Sequence, residues 1–325
     1  MVIRTNVFKF FCLISLSFLS LLISIFLGDT PITFHDLIAT AGGHGTSLQH
    51  FILFDLRLPH ALNAFVIGCL LAFSGYLMQV MLSNPLADPY TLGSSGGAAV
   101  FTLLGLIAGL EGIWLVGCSF AGSIIAIGIL LLASGNWISQ MNGRMPLVGM
   151  VLAAGWGALL SLLLILSPTN QTRPILFWLF GDVDSQSFPL FSIISLGIAV
   201  IASIVLQKEI NVLNHGALMA KTLGVEVKKL HIKLIVISSL LTAAAVSMGG
   251  TIGFIGLIVP HMTRKLINSH HYLFPLCNLL LGGCLLLAAD IISRIAIAPE
   301  QLPIGLFTTL LGIPLFIYLS RKGND

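Results

Sequence analysis

The stretch KEINVLNHGALMAKTLGVEVKKLHIK, residues 208–233, decides how this chain is read. It carries Lys208, Lys221, Lys228, Lys229 and Lys233, five of the 15 basic residues. Apolar and polar positions alternate along it as on a pair of short surface helices. Almost everything on either side is long apolar runs punctuated by Gly and Pro. Such a segment reads as a surface feature kept in water by a chain otherwise immersed in lipid, and as the place where a partner protein delivers force.

The composition supports that contrast. Apolar residues make up 57% of the 325 and charged residues only 8%, with a mean hydropathy of +1.03. Soluble domains carry about a quarter charged residues, so this is an integral membrane protein. The formal charge of +3 is too small to call for nucleic acid. Barrel strands would alternate apolar and polar residues over about ten positions, and no such pattern occurs. The runs instead approach the roughly 20 apolar residues a helix needs to cross a bilayer, and helices satisfy their own backbone in lipid.

Ten spans are expected, at 10–27, 59–82, 91–109, 113–133, 146–166, 189–207, 234–249, 251–267, 272–293 and 302–320. The fold class is all-α and polytopic, a single transmembrane domain over 1–325. The first run follows Arg4 and Lys9, as a signal peptide would. A signal core is shorter and ends at a small-x-small site; SIFLGDT offers a poor one, so the run is kept as a span. The division at 249–251 is the least marked, because GGTIGFIGLIVP continues without a charged loop.

Basic residues orient the chain. With the first crossing directed outward, the inner side receives 12 of them: Arg4, Lys9, Arg144, Lys208, Lys221, Lys228, Lys229, Lys233, Arg264, Lys265, Arg321 and Lys322. The outer side receives three, Arg57, Arg173 and Arg294. Both termini and residues 208–233 are thereby expected in the cytoplasm. Losing one span would scramble this sorting, so it also supports the count.

Four groups of residues invite chemistry. Asn84-Pro85-Leu86-Ala87-Asp88-Pro89 and LGSSGGA at 92–98 join the second and third spans, the prolines breaking the helix and the glycines allowing close packing. Gly93-Ser94-Ser95-Gly96 matches the nucleophile string of intramembrane serine proteases, which need a histidine on the serine. His261, in GFIGLIVPHMTR at 253–264, is the one histidine expected within a span, and reads better as a polar residue satisfied by carbonyls. Asp290 and Arg294 are spaced to pair across one helical turn; a proton-carrying Asp290 would make a secondary transporter, but no isolated carboxylate lies at mid-depth. His35, His44, His50 and His60 match no compact metal motif. Cys12, Cys69, Cys118, Cys277 and Cys284 form no CxxC and read as small buried hydrophobes. GxxxxGK[ST] is absent, so any ATP that drives transport is held by another subunit.

Together these strings resemble the FecCD-type permease subunits of bacterial ATP-binding-cassette (ABC) importers for iron-siderophores, haem and cobalamin. The match runs from about Leu56 to Leu319 through Arg57-Leu58-Pro59, Gly75 with Gln79, NPLADP, LGSSGGA, WLFG at 178–181, LG at 223–224, GFIGLIVPHMTR, AAD at 288–290, LPIG and LLGIP. The resemblance implies an ABC importer permease fold in the bacterial inner membrane. It also implies a homodimer, two cytoplasmic ATPases that hold ATP and Mg, a periplasmic binding protein, and no cofactor or metal on this chain. Residues 211–229 resemble paired coupling helices, with Leu213, Gly216, Ala220, Leu223, Gly224 and Val225 meeting the ATPase. Arg57, His60 and Arg294 stand where the family docks its binding protein, His60 replacing a frequent arginine. Met141, Asn142 and Gly143, with Gln79 and Asn84, resemble gate and pathway positions. Pro85, Asp88, Pro89, Gly93, Gly256, Pro260, His261 and Arg264 belong to the structural motifs. His215, Ala217 and Gln301 depart from the pattern, which bears on partner specificity. Iron-siderophore is the expected cargo, with cobalamin and haem as alternatives.

Overall fold

The structure, a computed structural model, describes residues 2–28, 33–42, 45–134, 144–183, 189–268, 271–297 and 301–321. Every regular element among them is helical. In chain order they are α1 (Val2–Phe26), α2 (Phe34–Ala41), α3 (Ser47–His50), a π-helical turn Phe51–Arg57 and α4 (Leu58–Met81). A 3-10 turn Pro89–Leu92 leads into α5 (Ser94–Ile107), α6 (Ile113–Ser134), α7 (Arg144–Leu166), α8 (Thr169–Leu179) and α9 (Pro189–Val205). Then follow α10 (Gln207–Leu213), α11 (Ala217–Thr222), α12 (Val227–Gly249), α13 (Ile255–Leu266), α14 (Phe274–Ile295) and α15 (Ile304–Arg321).

Each expected span has its helix, but they are unequal. Among the described residues six stretches are long and apolar enough to cross a membrane outright: Thr5–Phe26, Ser47–Met81, Ile113–Ser134, Met145–Leu166, Val227–Gly249 and Phe274–Ile295. A seventh arises if α9 and α10, bent by 57°, count as one. α5, α13 and the apolar part of α15 are shorter. Three helices fall in expected loops: α2 and α3 in the outer loop, and α8 between α7 and α9.

α4 is the axis of the bundle. Every residue from Asn63 to Met81 is buried, the all-round burial of a helix enclosed by others. Small residues let α14 approach: a Cβ on Gly68 would lie 2.8 Å from the Gly282 carbonyl carbon, so the two backbones touch. Buried hydroxyls and amides tie the other neighbours. Ser74 Oγ meets Ser238 Oγ at 2.6 Å and Thr242 Oγ1 at 2.7 Å on α12, and Asn278 Nδ2 of α14 donates to Ala72 O at 2.8 Å. α1 lies outside this core, with Phe8, Phe11 and Phe18 exposed.

Cations mark the two ends. Lys9 Nζ donates to Leu266 O at 2.7 Å, which joins the start of α1 to the basic end of α13. At the opposite end Arg57 and Arg294 meet the last carbonyls of α1. Lys9 thus lies with the Arg264–Lys265 end of α13, and Arg57 with Arg294, as charge sorting grouped them.

Candidate functional site

Residues 208–233 form a hairpin of short helices at the Lys9 end. Gly216, at φ +101°, lets α10 turn directly into α11, and Gly224, at φ +82°, turns the chain toward α12; both angles favour glycine. One face of the hairpin is fixed to the bundle by Ile210, Leu213, Ala220, Val227 and Leu230, all buried. Asn214 Nδ2 reaches the Tyr76 hydroxyl of α4 at 3.5 Å, and Lys233 of α12 pairs with Glu209 of α10 at 3.1 Å. A cleft of about 370 Å³ lined by Glu209, Val225, Leu230 and Lys233 separates α10 from α12. The other face is apolar and bare: Leu218 is 80% exposed and Leu223 59%, with Met219 beside them.

The six expected coupling residues therefore divide. Leu223 and Gly224 are exposed, and Gly216 and Val225 half-buried. Leu213 and Ala220 face the bundle and brace the hairpin, so they do not reach a partner; this corrects the sequence reading. Leu218 and Met219, which sequence reasoning missed, are the exposed apolar residues beside Leu223. Local pattern does not separate them from Leu213, since both kinds of position are apolar and only packing buries one and bares the other.

A second assembly lies within the bundle, where the glycine- and proline-rich strings meet. α12 ends at Gly249 against Ile67, whereas α13 begins so that Gly256 lies against Gly75. Eight residues of α4 separate these levels, about 12 Å. The non-helical backbone 250–254 thus lies beside α4 between these levels, with Gly250 and Ile252 buried and Thr251, Gly253 and Phe254 half-buried; such backbone is tolerated at membrane depth where it is packed in protein or lines a water-filled cavity. That is why no charged loop marks the division. A Cβ on Gly250 would lie 2.9 Å from the Trp178 carbonyl carbon, and one on Gly305 3.1 Å from that of Phe180. Ile304 N donates to Gly181 O at 2.8 Å, and Thr251 Oγ1 to Leu179 O. WLFG, GGT and LPIG thus pack backbone to backbone.

Pro260 explains the next contact. It has no N–H for the Gly256 carbonyl four residues back. Gln79 Nε2 donates there instead, at 3.3 Å, and to Leu257 O at 3.2 Å. Arg264 Nη2 completes the chain by donating to Gln79 Oε1 at 2.5 Å. Pro89 packs on Gly256, and Asp88 caps the 3-10 turn by accepting from Tyr90 N at 2.9 Å. Gly93 follows in left-handed conformation. Asn84 is exposed, its Oδ1 accepting from Leu86 N at 2.9 Å, with Pro85 exposed beside it. His261 is half-buried on α13. Its isolation among span histidines was misjudged: His60 lies in the first turn of α4 and His231 is buried on α12. Met141, Asn142 and Gly143 lie outside the described residues.

The third assembly is at the opposite end. Asp290, 1% exposed, is met from two sides: His60 Nε2 lies 2.8 Å from Oδ1, and Arg294 Nη2 forms an ion pair with Oδ2 at 2.8 Å. Arg294 also donates to Ser24 Oγ at 2.8 Å and Leu27 O at 3.3 Å. Arg57 donates to Ile25 O at 3.0 Å and Phe26 O at 3.4 Å. The last carbonyls of a helix lack intrahelical partners and carry the negative end of its dipole, so two guanidinium groups cap α1. The expected pairing of Asp290 with Arg294 is present, but it is buried rather than held in solvent. The two arginine side chains, expected to meet a partner, are turned inward in this conformation. Above them α2 and α3 carry capping boxes at Thr33 and Thr46. The Thr33 hydroxyl and N–H hold the Asp36 carboxyl below its ordinary range.

The described residues form a polytopic helical bundle with a braced, apolar-tipped hairpin at one end, the architecture of a multi-pass membrane protein. The FecCD transport family profile matches residues 16–322, and the chain belongs to that family. The hemin transport system permease protein HmuU of Yersinia pestis is 37% identical over 287 residues, 84% of each chain. The vitamin B12 import system permease protein BtuC of Vibrio cholerae is 34% identical over 284 residues, 86% of each. A solved structure described as an inward-facing ABC transporter of the metal-chelate type superposes with a TM-score of 0.82 at 29% identity, over 98% of this chain and 99% of that one. The protein is thus a multi-pass permease subunit of an ABC importer, a family that works with ATPase subunits and binding proteins, and it is not itself an enzyme. This replaces the protease and secondary-transporter readings.

Proposed function

We propose that the protein carries an iron-siderophore complex across the bacterial inner membrane as one half of a homodimer. A cytoplasmic ATPase seats on α10 and α11 of each copy and holds the ATP and Mg; this chain binds no cofactor or metal of its own. A periplasmic binding protein docks at the α2–α3 end, where Arg57, His60 and Arg294 lie, and both termini are cytoplasmic. Gln79 and Asn84, with Met141, Asn142 and Gly143, are assigned to the pathway and its gate.

The observation that carries this reading is the hairpin. Its inner face is bonded to α4 and α12, so force applied to it reaches the core, while its outer face keeps Leu218, Met219 and Leu223 bare. Exposed side chains of that size on a braced element fit an apolar groove in a partner. A second cargo reading, a tetrapyrrole, is favoured by the relatives named for hemin and vitamin B12. Proteoliposomes containing permease, ATPase and binding protein test both, with radiolabelled ferric siderophore, haem and cobalamin offered in competition. Uptake without the ATPase would refute the assignment of energy to a partner. In the same system, Arg57→Gln with Arg294→Gln, which removes both positive charges without setting a second carboxylate against Asp290, is expected to abolish stimulation of ATP hydrolysis by the binding protein and spare basal hydrolysis. Unchanged stimulation removes both from the docking site.

A further inference from the structure

The Asp290 cluster holds one buried negative charge and two groups able to balance it. A carboxylate removed from water needs a full positive charge beside it. Arg294 supplies one permanently. His60 supplies one only when protonated, and histidine ordinarily changes charge between about pH 5 and 8. The His60 side chain keeps 17% exposure, through which protons reach it, against 1% for Asp290 and 11% for Arg294. Among the described residues, the other charged groups at this end are engaged elsewhere. Arg57 is turned to the Ile25 and Phe26 carbonyls, and Asp55 pairs with His50 at 3.8 Å on the exposed side. α9, packed on α4, brings Ser192 to Asn63 and contains no charged residue. The end of α1 contributes Ser24 and carbonyl oxygens.

We propose that His60 is a proton-operated release for Arg294, an inference that rests on the reading of this end as the docking face for the binding protein. With His60 protonated, Asp290 keeps its counter-charge without Arg294, and the guanidinium can leave α1 for a carboxylate of the docking partner. With His60 neutral, Arg294 alone balances Asp290 and stays folded inward. Docking then takes up a proton: it is strongest in acid and weakens as pH rises through the histidine range. Departure of Arg294 also uncaps Leu27, so docking loosens the outer end of α1.

The test is the affinity of the importer's own binding protein for the permease–ATPase complex in nanodiscs, measured from about pH 5.5 to about pH 8. The expected result is binding about tenfold tighter at the acid end, within the ordinary size of a coupling between two sites. His60→Arg, with a permanent cation, is expected to bind tightly and without slope. His60→Gln, which keeps a hydrogen bond to Asp290 but no charge, is expected to bind weakly and without slope. A flat wild type overturns the proposal, as does a His60→Gln variant that keeps the wild-type slope, since the proton then goes elsewhere. If His60→Gln fails to fold, His60→Arg decides alone, and a slope in it overturns the proposal. If neither wild type nor His60→Arg binds at any pH, the docking reading itself fails and takes the release with it.

Discussion

Adding one methyl group at Gly75 tests the packing of the motif strings most directly. A Cβ there would lie 2.5 Å from the Gly256 carbonyl carbon and nearer still to its oxygen, whereas ordinary contact begins at 3.4 Å. Both obstacles are backbone, so no side chain can swing aside, and α4 and α13 must part by at least about 0.9 Å. Overpacking of this kind costs about 1–3 kcal/mol. The displacement also pulls Gln79 from the Gly256 carbonyl, which Pro260 cannot satisfy, and an orphaned buried acceptor costs about 1–3 kcal/mol more. Gly75→Ala is thus expected to lose about 2–6 kcal/mol, a fall of several degrees in Tm for a chain of this size. The assay is thermal unfolding of the purified permease in detergent, at one scan rate because unfolding of such proteins is often irreversible. The control is Gly128→Ala on α6, where a Cβ meets nothing within 4 Å. That change is expected to be neutral or stabilising by up to about 1 kcal/mol, the helix preference of Ala over Gly. Equal Tm values for the two variants would refute the backbone contact.

Two further outcomes separate bracing from contact, and folding from charge. Leu218→Glu with Leu223→Glu is expected to leave Tm unchanged while abolishing co-purification of the ATPase. Leu213→Ala, at a buried position, is instead expected to lose about 2–5 kcal/mol, read as a lower Tm of the permease alone. Asp36, held below its ordinary range by Thr33, contributes to α2 above the unfolded carboxylate range, and that contribution is lost as pH falls through its lower folded value. Amide exchange in α2 should therefore accelerate at the acid end, and Thr33→Ala should raise the pH at which this begins; an unchanged profile in that variant removes the cap as the cause.

Much of the fold was legible because lipid leaves few options. Apolar length located the helices, and the contacts of Lys9 with Leu266 and of Arg294 with Leu27 bring together residues that charge sorting had placed on one side. The hairpin was legible too, because charge and alternation are rare in such a chain. Its working face was not: Leu213 and Leu218 look alike in sequence, and only packing against α4 and α12 buries one and bares the other. α8 was missed because Arg173 and Pro174 interrupt its apolar run, so it read as loop.

The segment Lys208–Lys233 shows where the boundary lies. Its composition alone argued that it stands outside the lipid, because burying five lysines in hydrocarbon is costly. Tertiary structure decided what composition cannot encode: which residues of the hairpin face out, why Gln79 serves a carbonyl that Pro260 abandons, and that Arg57 and Arg294 cap α1 rather than stand free. Each of these depends on contacts between residues far apart in the chain, and local pattern carries no record of them.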